Sequence, residues 1–389
     1  MGRLLDREEG ERLRLGYGHT LREIAHQPLT WLETAERALA RAPELESALG
    51  HITGAGAGGT LVLTGSGSSL FAGECLAPGL QAALGVPVLA ITAGELLTHV
   101  ERRLPPRGEV LLVSFGRSGN SPESCAVIDA LLDRVPRCEH LVVTCNAEGR
   151  MATRYAGHPR VRALVLDDRT NDRSLVMTSS FSNMVLAARL LARPRGAEQF
   201  RSRALGLARA AAAVLLGSVD ALAAVARGRF RSAVYLGSGG NHGAAREAGL
   251  KMLEMTGGQV LTLAETHLGL RHGPMSAVDD EALAVSFLST DTLVRAYELD
   301  LVRELRRKGL GARLVLVGRD VPEELVAPGD VRVDLASGVD DDEAVLLHVL
   351  TGQLLAFFRC LHLGLRPDSP SEEGVITRVV EEFEIHRRA

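Results

Sequence analysis

The sequence predicts an α/β protein: two doubly wound parallel-sheet domains in tandem, each a three-layer α/β/α sandwich, preceded by a helical segment. Three observations predict it. Short apolar runs are continuous rather than alternating, the pattern of strands buried on both faces of a parallel sheet. Each run is followed by a helix-like segment, which supplies the right-handed crossover that such sheets require. The whole pattern then occurs a second time at nearly one spacing, as a duplicated unit does.

Taken in order, residues 1–49 read as helical and polar and form no domain of their own. The first domain spans 50–195. Its apolar run "LVLTGSGSS" ends in Gly65-Ser66-Gly67, and "AVYLGSGGN" ends the same way in Gly237-Ser238-Gly239, 172 positions further on. "LLVSFGRS" around Ser114 is answered by "LAVSFLST" around Ser286, again 172 positions on. "LVVT" from Leu141 and "LVLV" from Leu314 stand 173 apart. The helix-like segments are "GECLAPGLQAAL" and "ESCAVIDALLDRV" in the first half, "GAAREAGLKMLEM" and "RAYELDLVRELRRKG" in the second. Between the halves, "RLLARPRGAEQF" marks a joint by its proline, glycine and charges. The second domain spans 220–365, and 366–389, with "RPDSPSEEG" before "VITRVVEEF", reads as an irregular tail.

Composition narrows the function. The chain has 389 residues, 46% hydrophobic and 24% charged, enough for about two to three domains with real cores. A net charge of −4 argues against nucleic acid or an acidic membrane surface as partner, since either calls for a basic face. The five cysteines, Cys75, Cys125, Cys138, Cys145 and Cys360, include no Cys-x-x-Cys pair, which suits reduced thiols in a cytoplasm. The opening "MGRLLDREEGERLRLG" is charged throughout and lacks the apolar core of a secretion signal. The apolar stretch Ala210 to Ala226 carries Asp220 and is too short to span a bilayer. A soluble cytoplasmic protein is expected. Of 44 basic residues only Lys251 and Lys308 are lysines.

The stretch "VSFGRSGNSPES", Val113 to Ser124, carries the first chemistry. In a doubly wound sheet, ligands bind beyond the carboxyl ends of the strands. Serine is a favoured N-cap and proline a favoured first helical residue, so a helix is expected to start at Ser121-Pro122. Loop amides, the positive helix end and the hydroxyls of Ser118 and Ser121 would then make an uncharged cradle for a dianion such as phosphate, a plain tight turn and helix cap being the alternative reading. Neither Gly-x-x-x-x-Gly-Lys-Ser/Thr nor Gly-x-Gly-x-x-Gly occurs there, which argues against a nucleoside triphosphate, and a sugar phosphate fits better than a dinucleotide. The second copy, "SFLSTDTLVRA", lacks both glycines and the proline, so only the first copy is built for phosphate.

The second half differs. Glu247, Lys251 and Glu254 share one face of a helix at i, i+4 and i+7, with Met252, Leu253 and Met255 around them suggesting burial. A solvated salt-bridge ladder is the alternative reading. His272-Gly273-Pro274 then puts a histidine on a rigid loop, with Glu265 and His267 just before it. Their spacing matches no zinc pattern, and no metal or cofactor is expected.

Together, "SFGRSGNSPES", "EAGLKMLE" and "RHGP" resemble tandem sugar isomerase (SIS) domains, as in the isomerase half of glucosamine-6-phosphate synthase. The chain is most similar to the AgaS family of galactosamine-6-phosphate deaminase/isomerases, formerly described as tagatose-6-phosphate ketose/aldose isomerases. "HTLREIAHQPLTWLET", "TCNAEG", "MTSSFSNM", "AVDDE" and "PDSPS" extend that likeness over most of the chain. The resemblance implies a flavodoxin-like sheet in each domain. It also implies that Ser68, Ser69 and Ser114 with Arg117, Ser118 and Ser121 contact the sugar and its phosphate, and that Thr178 and Ser179 close that pocket. Glu254 would move the proton between C1 and C2, assisted by Lys251. His272 would open the sugar ring, donated across the interface of a homodimer or higher homo-oligomer. The glutaminase domain of the synthase is not present, so nitrogen transfer from glutamine is not expected. The synthase's C-terminal active-site lysine has no counterpart in "PDSPSEEGVITRVV", and Met275 stands where the resemblance leads one to expect a lysine. The expected reaction is deamination of galactosamine 6-phosphate, with plain aldose–ketose isomerisation or a non-catalytic sugar-phosphate sensor as the alternatives.

Overall fold

The computed structural model describes residues 2–54, 58–371 and 374–386. The first sheet contains β1 (Thr60–Gly65), β2 (Val88–Thr92), β3 (Val110–Gly116), β4 (Cys138–Thr144) and β5 (Val161–Val165), in the order β2-β1-β3-β4-β5 with every pairing parallel. The second contains β6 (Ser232–Leu236), β7 (Leu261–Glu265), β8 (Ala282–Phe287), β9 (Arg313–Gly318) and β10 (Val331–Asp334), in the order β10-β9-β8-β6-β7, also parallel throughout. Read from the opposite edge, this is the same order, the flavodoxin-like one, with its switch point between the first and third strands of each sheet.

Continuous apolar runs do become the central strands: β1 and β8 are buried at every position, and β3 at all but its last residue. The edge strands are more exposed, and Val331–Asp334 alternates between buried and exposed positions. The duplication holds in register. Thr64 pairs with Ser114 between β1 and β3, and Leu236 with Ser286 between β6 and β8, both members displaced by 172. At the next strand the spacing grows. Val142 pairs with Ser114 but Leu316 with Ser286, an offset of 174 where the sequence match suggests 173. Side chains alternate faces along a strand, so a one-residue slip matters, and hydrogen bonding rather than residue likeness fixes the equivalence.

The glycine turns are duplicated in conformation as well. Gly67 (φ 54°, ψ −126°) and Gly239 (φ 58°, ψ −130°) are the N-caps of the helices Ser68–Leu84 and Gly240–Met255. A β-carbon on Gly65 would lie 2.4 Å from that of Ser69, and one on Gly237 2.1 Å from the Asn241 carbonyl. Only glycine lets each strand turn this tightly into its helix.

By contacts the chain divides into two compact units, one around each sheet. The unit of the second sheet takes in the chain up to Pro28, Arg173–Thr178 and Gly206–Val375; that of the first takes in Leu29–Asp172, Ser179–Leu205 and the tail from Ile376. In the second-sheet unit Asp368 binds the start of the helix Gly18–Ala25, accepting from the amides of His19 (3.1 Å) and Thr20 (2.7 Å) and from the Thr20 hydroxyl (2.8 Å). A carboxylate there satisfies open amides and complements the helix dipole. The helix Asp341–His362 is the one straight helix among the described residues long and apolar enough to cross a membrane. Its most apolar window is 94% buried in the protein, as befits a core helix. It lies so close to Gly240–Met255 that a β-carbon on Gly352 would stand 2.4 Å from that of Ala248.

Candidate active site

In the first-sheet unit, β3 leads into the serine-rich loop and then into the helix Pro122–Arg134, with Ser121 as N-cap and Pro122 at its first position. The helix starts where the serine-proline pair predicts, but the Ser121 hydroxyl makes no capping bond. Ser118 is nearly buried and Gly119 adopts φ 64°. The Ser118 hydroxyl accepts from the Asn120 amide (3.2 Å), closing the turn on itself. The segment "TCNAEG" braces this loop: the Asn146 side chain donates to the Ser118 carbonyl (2.9 Å), and the amides of Arg150 and Met151 donate to Asn120 Oδ1 (3.0 Å) and the Gly119 carbonyl (2.9 Å). A β-carbon on Gly149 would lie 2.5 Å from the Ser118 carbonyl, so that brace also needs glycine. Asn120 and Asn146 were not singled out from the sequence, although both stand in motifs that were.

Ser68 and Ser69, both nearly buried, open the helix after β1, next to β3 in the sheet. Ser114, 3% exposed on β3, has a hydroxyl without a hydrogen-bond partner among the described residues. Glu123 occupies the first turn of Pro122–Arg134 and already complements its dipole, so an anion here rests on loop amides and hydroxyls more than on the dipole. Arg117 is buried and donates to the carbonyl of Arg378, whose guanidinium in turn donates to the Asp172 carbonyl and to Asn171 Oδ1, both at 2.7 Å. Arg150 also pairs with Glu382 (2.6 Å). The sequence read only as irregular in this tail. Ser179 begins the helix Ser179–Arg189 and accepts from the Asn183 side chain (3.2 Å), while the Thr178 carbonyl accepts from Gln353 (3.1 Å).

In the second-sheet unit, Gly240–Met255 aligns the three predicted side chains. Lys251 is fully buried, 2.5 Å from Glu254 Oε2 and 3.4 Å from Glu247 Oε1. Glu247 is also fully buried, whereas the Glu254 side chain retains 23% exposure. A solvated ladder is therefore ruled out: the ammonium is inside, held between two carboxylates, and one of these reaches the surface. His272 ends the single turn Gly269–His272 and is exposed, with Gly273 at φ 121° turning the chain into Pro274. His267 is the opposite of a surface histidine. It is fully buried, with Nε2 2.7 Å from the Ser286 hydroxyl.

Two sheets of this order, an anion-suited loop after the third strand and a buried lysine–carboxylate cluster define the tandem sugar isomerase class. Known proteins agree. The chain is 35% identical over 373 residues to the D-galactosamine-6-phosphate deaminase AgaS of Escherichia coli, covering 94% of this chain and 95% of that one. The solved tagatose-6-phosphate ketose/aldose isomerase of E. coli superposes with a TM-score of 0.81 at 35% identity, covering 92% and 95%. A Clostridium novyi protein described as a candidate isomerase of the same kind superposes at 0.91 with 32% identity, covering 99% of both chains. No protein-family model matches the chain. The chain belongs to the AgaS family, and it is an enzyme of the phosphosugar isomerase kind.

Proposed function

We propose that this enzyme converts D-galactosamine 6-phosphate and water into D-tagatose 6-phosphate and ammonia. The observation that carries the reading is the Lys251–Glu254 contact of 2.5 Å, which fixes a partly exposed carboxylate by a wholly buried ammonium. Such a carboxylate is oriented for proton transfer to a bound substrate. The phosphate is held by the Ser118–Ser121 loop, with Ser68, Ser69, Ser114 and Arg117 around the sugar and Thr178 and Ser179 closing the pocket. His272, exposed in the single chain, serves a neighbouring copy in a homodimer or larger homo-oligomer and passes the proton that opens the ring. Glu254 takes the C2 proton and returns it to C1, and Lys251 steadies the negative charge that develops in between. With an amino group on C2 this shift yields a ketimine. Water adds to its carbon, and ammonia leaves to give the ketose.

The name of the solved E. coli relative favours a second reading, aldose–ketose isomerisation without loss of nitrogen. One experiment separates the two: incubate the purified protein with galactosamine 6-phosphate, glucosamine 6-phosphate, N-acetylgalactosamine 6-phosphate and tagatose 6-phosphate, and assay ammonia and ketose separately. Equal amounts of ammonia and ketose from the galacto substrate support deamination. Interconversion of tagatose 6-phosphate with its aldose, without ammonia from any amino sugar, refutes it.

A further inference from the structure

The crevice at the end of β6 and β8 is the duplicate of the anion site at the end of β1 and β3, yet it holds no cradle for a ligand. The His267 side chain fills it. Its Nε2 lies 2.7 Å from the Ser286 hydroxyl and its Nδ1 3.3 Å from the Ser238 hydroxyl and 3.4 Å from Glu298 Oε1. Ser286 is the duplicate of Ser114 and Ser238 that of Ser66. Glu298 accepts from the Ser289 amide (2.7 Å), so a carboxylate of the chain itself already takes a loop amide of this crevice. Ser289 and Thr290 are tied in turn to Asp341, which opens the core helix. Serine, histidine and glutamate in this order suggest a nucleophile, but His267, Ser286 and Glu298 are at most 3% exposed, so no substrate reaches Ser286.

The occupied crevice bears on the loop that follows it. His267 stands five residues before His272. Between them the Leu270 amide bonds back to the Thr266 carbonyl (3.0 Å), the Gly269 amide to Thr266 Oγ1 (3.0 Å), and Leu270 is buried against Val234, Leu236 and Leu301. Arg271 pairs with Glu304 at 2.8 Å. The turn carrying the exposed His272 is thus fastened at its entry by His267 and along its length by Leu270 and Arg271. Burial holds the His267 pKa down at about 3, so its ring is neutral and engages its neighbours by hydrogen bonds rather than as a cation.

We infer that His267, held by the Ser286 and Ser238 hydroxyls beside Glu298 in the self-occupied second crevice, is a positioning residue that sets the place of His272. The inference rests on the proposed role of His272 in ring opening, and a substrate that needs no ring opening tests it. Purified full-length enzyme is incubated in deuterated buffer with tagatose 6-phosphate and, separately, with its 5-deoxy analogue, which lacks the oxygen that closes the furanose. Deuterium entering at C1 is followed by NMR, with melting temperature as the check on folding. His267→Ala is expected to slow exchange into tagatose 6-phosphate about 10- to 100-fold, the scale of a displacement on the order of 1 Å, and to leave the analogue within about threefold. His267→Gln, which retains a polar group towards Ser286, is expected to recover most of the lost rate. If His267→Ala does not fold, Ser286→Ala bears the same comparison with the same expected signs. Equal slowing on both substrates, or no slowing on either, overturns the positioning role. A wild-type enzyme that exchanges neither substrate overturns the isomerase reading itself and this role with it.

Discussion

Replacing Lys251 with methionine removes the ammonium that stands 2.5 Å from Glu254 and 3.4 Å from Glu247 while nearly keeping the side-chain volume. Glu247 is fully buried and loses its cationic neighbour, the situation in which breaking a buried pair costs about 3–5 kcal/mol. Glu254 loses the contact that orients it, so turnover is expected to fall by roughly 10² or more, as for a displaced proton-transfer group. The two losses are separable. In Lys251→Met with Glu247→Gln no buried charge is stranded, so most of the stability is expected to return while turnover stays low. Urea unfolding followed by circular dichroism reads the first quantity, and a coupled ketose assay at saturating substrate the second. A Lys251→Met enzyme unfolding within about 1 kcal/mol of the parent, or a double variant with parental turnover, would refute the buried-clamp argument.

Other outcomes follow from the same geometry. Glu254→Gln keeps the shape but not the base, and ketose formation is expected to drop by about 10² to 10⁴ with the substrate dissociation constant from calorimetry nearly unchanged. Ser118→Ala with Ser121→Ala is expected to raise KM for the sugar phosphate by about tenfold and to lower kcat less, since these hydroxyls bind remotely from the reacting carbons; steady-state kinetics decide it. His140, fully buried on β4 with neither ring nitrogen partnered among the described residues, has its pKa pushed down to about 3 by desolvation, then by the Arg160 and His158 charges. In the unfolded chain it titrates near 6.5, so it has no effect above that pH and destabilises the fold as pH falls from about 6.5 towards 3, by about 1.4 kcal/mol per unit. His140→Leu is expected to flatten the acid limb of the stability curve by that slope; an unchanged limb in urea titrations at several pH values would refute it. Gly67→Ala places a side chain at φ 54°, ψ −126°, and a loss of about 1–3 kcal/mol is expected by the same unfolding assay.

The sequence told most where a signal was local or repeated. Continuous apolar runs located β1, β3, β4, β6, β8 and β9, because strands buried on both faces need no polar alternation. The edge strands β2, β5, β7 and β10 gave no such signature, and "VRALV" or "VRVD" alone is indistinguishable from a loop with some valines. Ser121-Pro122 announced a helix start because cap and proline act within one turn. Lys251 stood out by its rarity, and its spacing from Glu247 and Glu254 fixed the cluster on one helical face. What was not legible depends on chain distance. Nothing near His267 shows that Ser286 and Glu298 enclose it, and nothing in "RPDSPS" shows that Asp368 reaches Thr20, 348 positions away. Likewise Arg378 meets Arg117 across 261 positions, which no spacing rule reaches.

The unit around the first sheet draws on residues from Leu29 onward, on Ser179–Leu205, and on the tail after Ile376. During synthesis its sheet is finished long before that last strip emerges, so the loop carrying Arg117 waits for Arg378 while the whole second sheet is being made. A nascent chain halted anywhere in between carries a serine-rich loop lacking one of its neighbours. Cutting the gene at the joint between the halves likewise gives neither unit its full set of segments, so each half is best studied within the intact polypeptide.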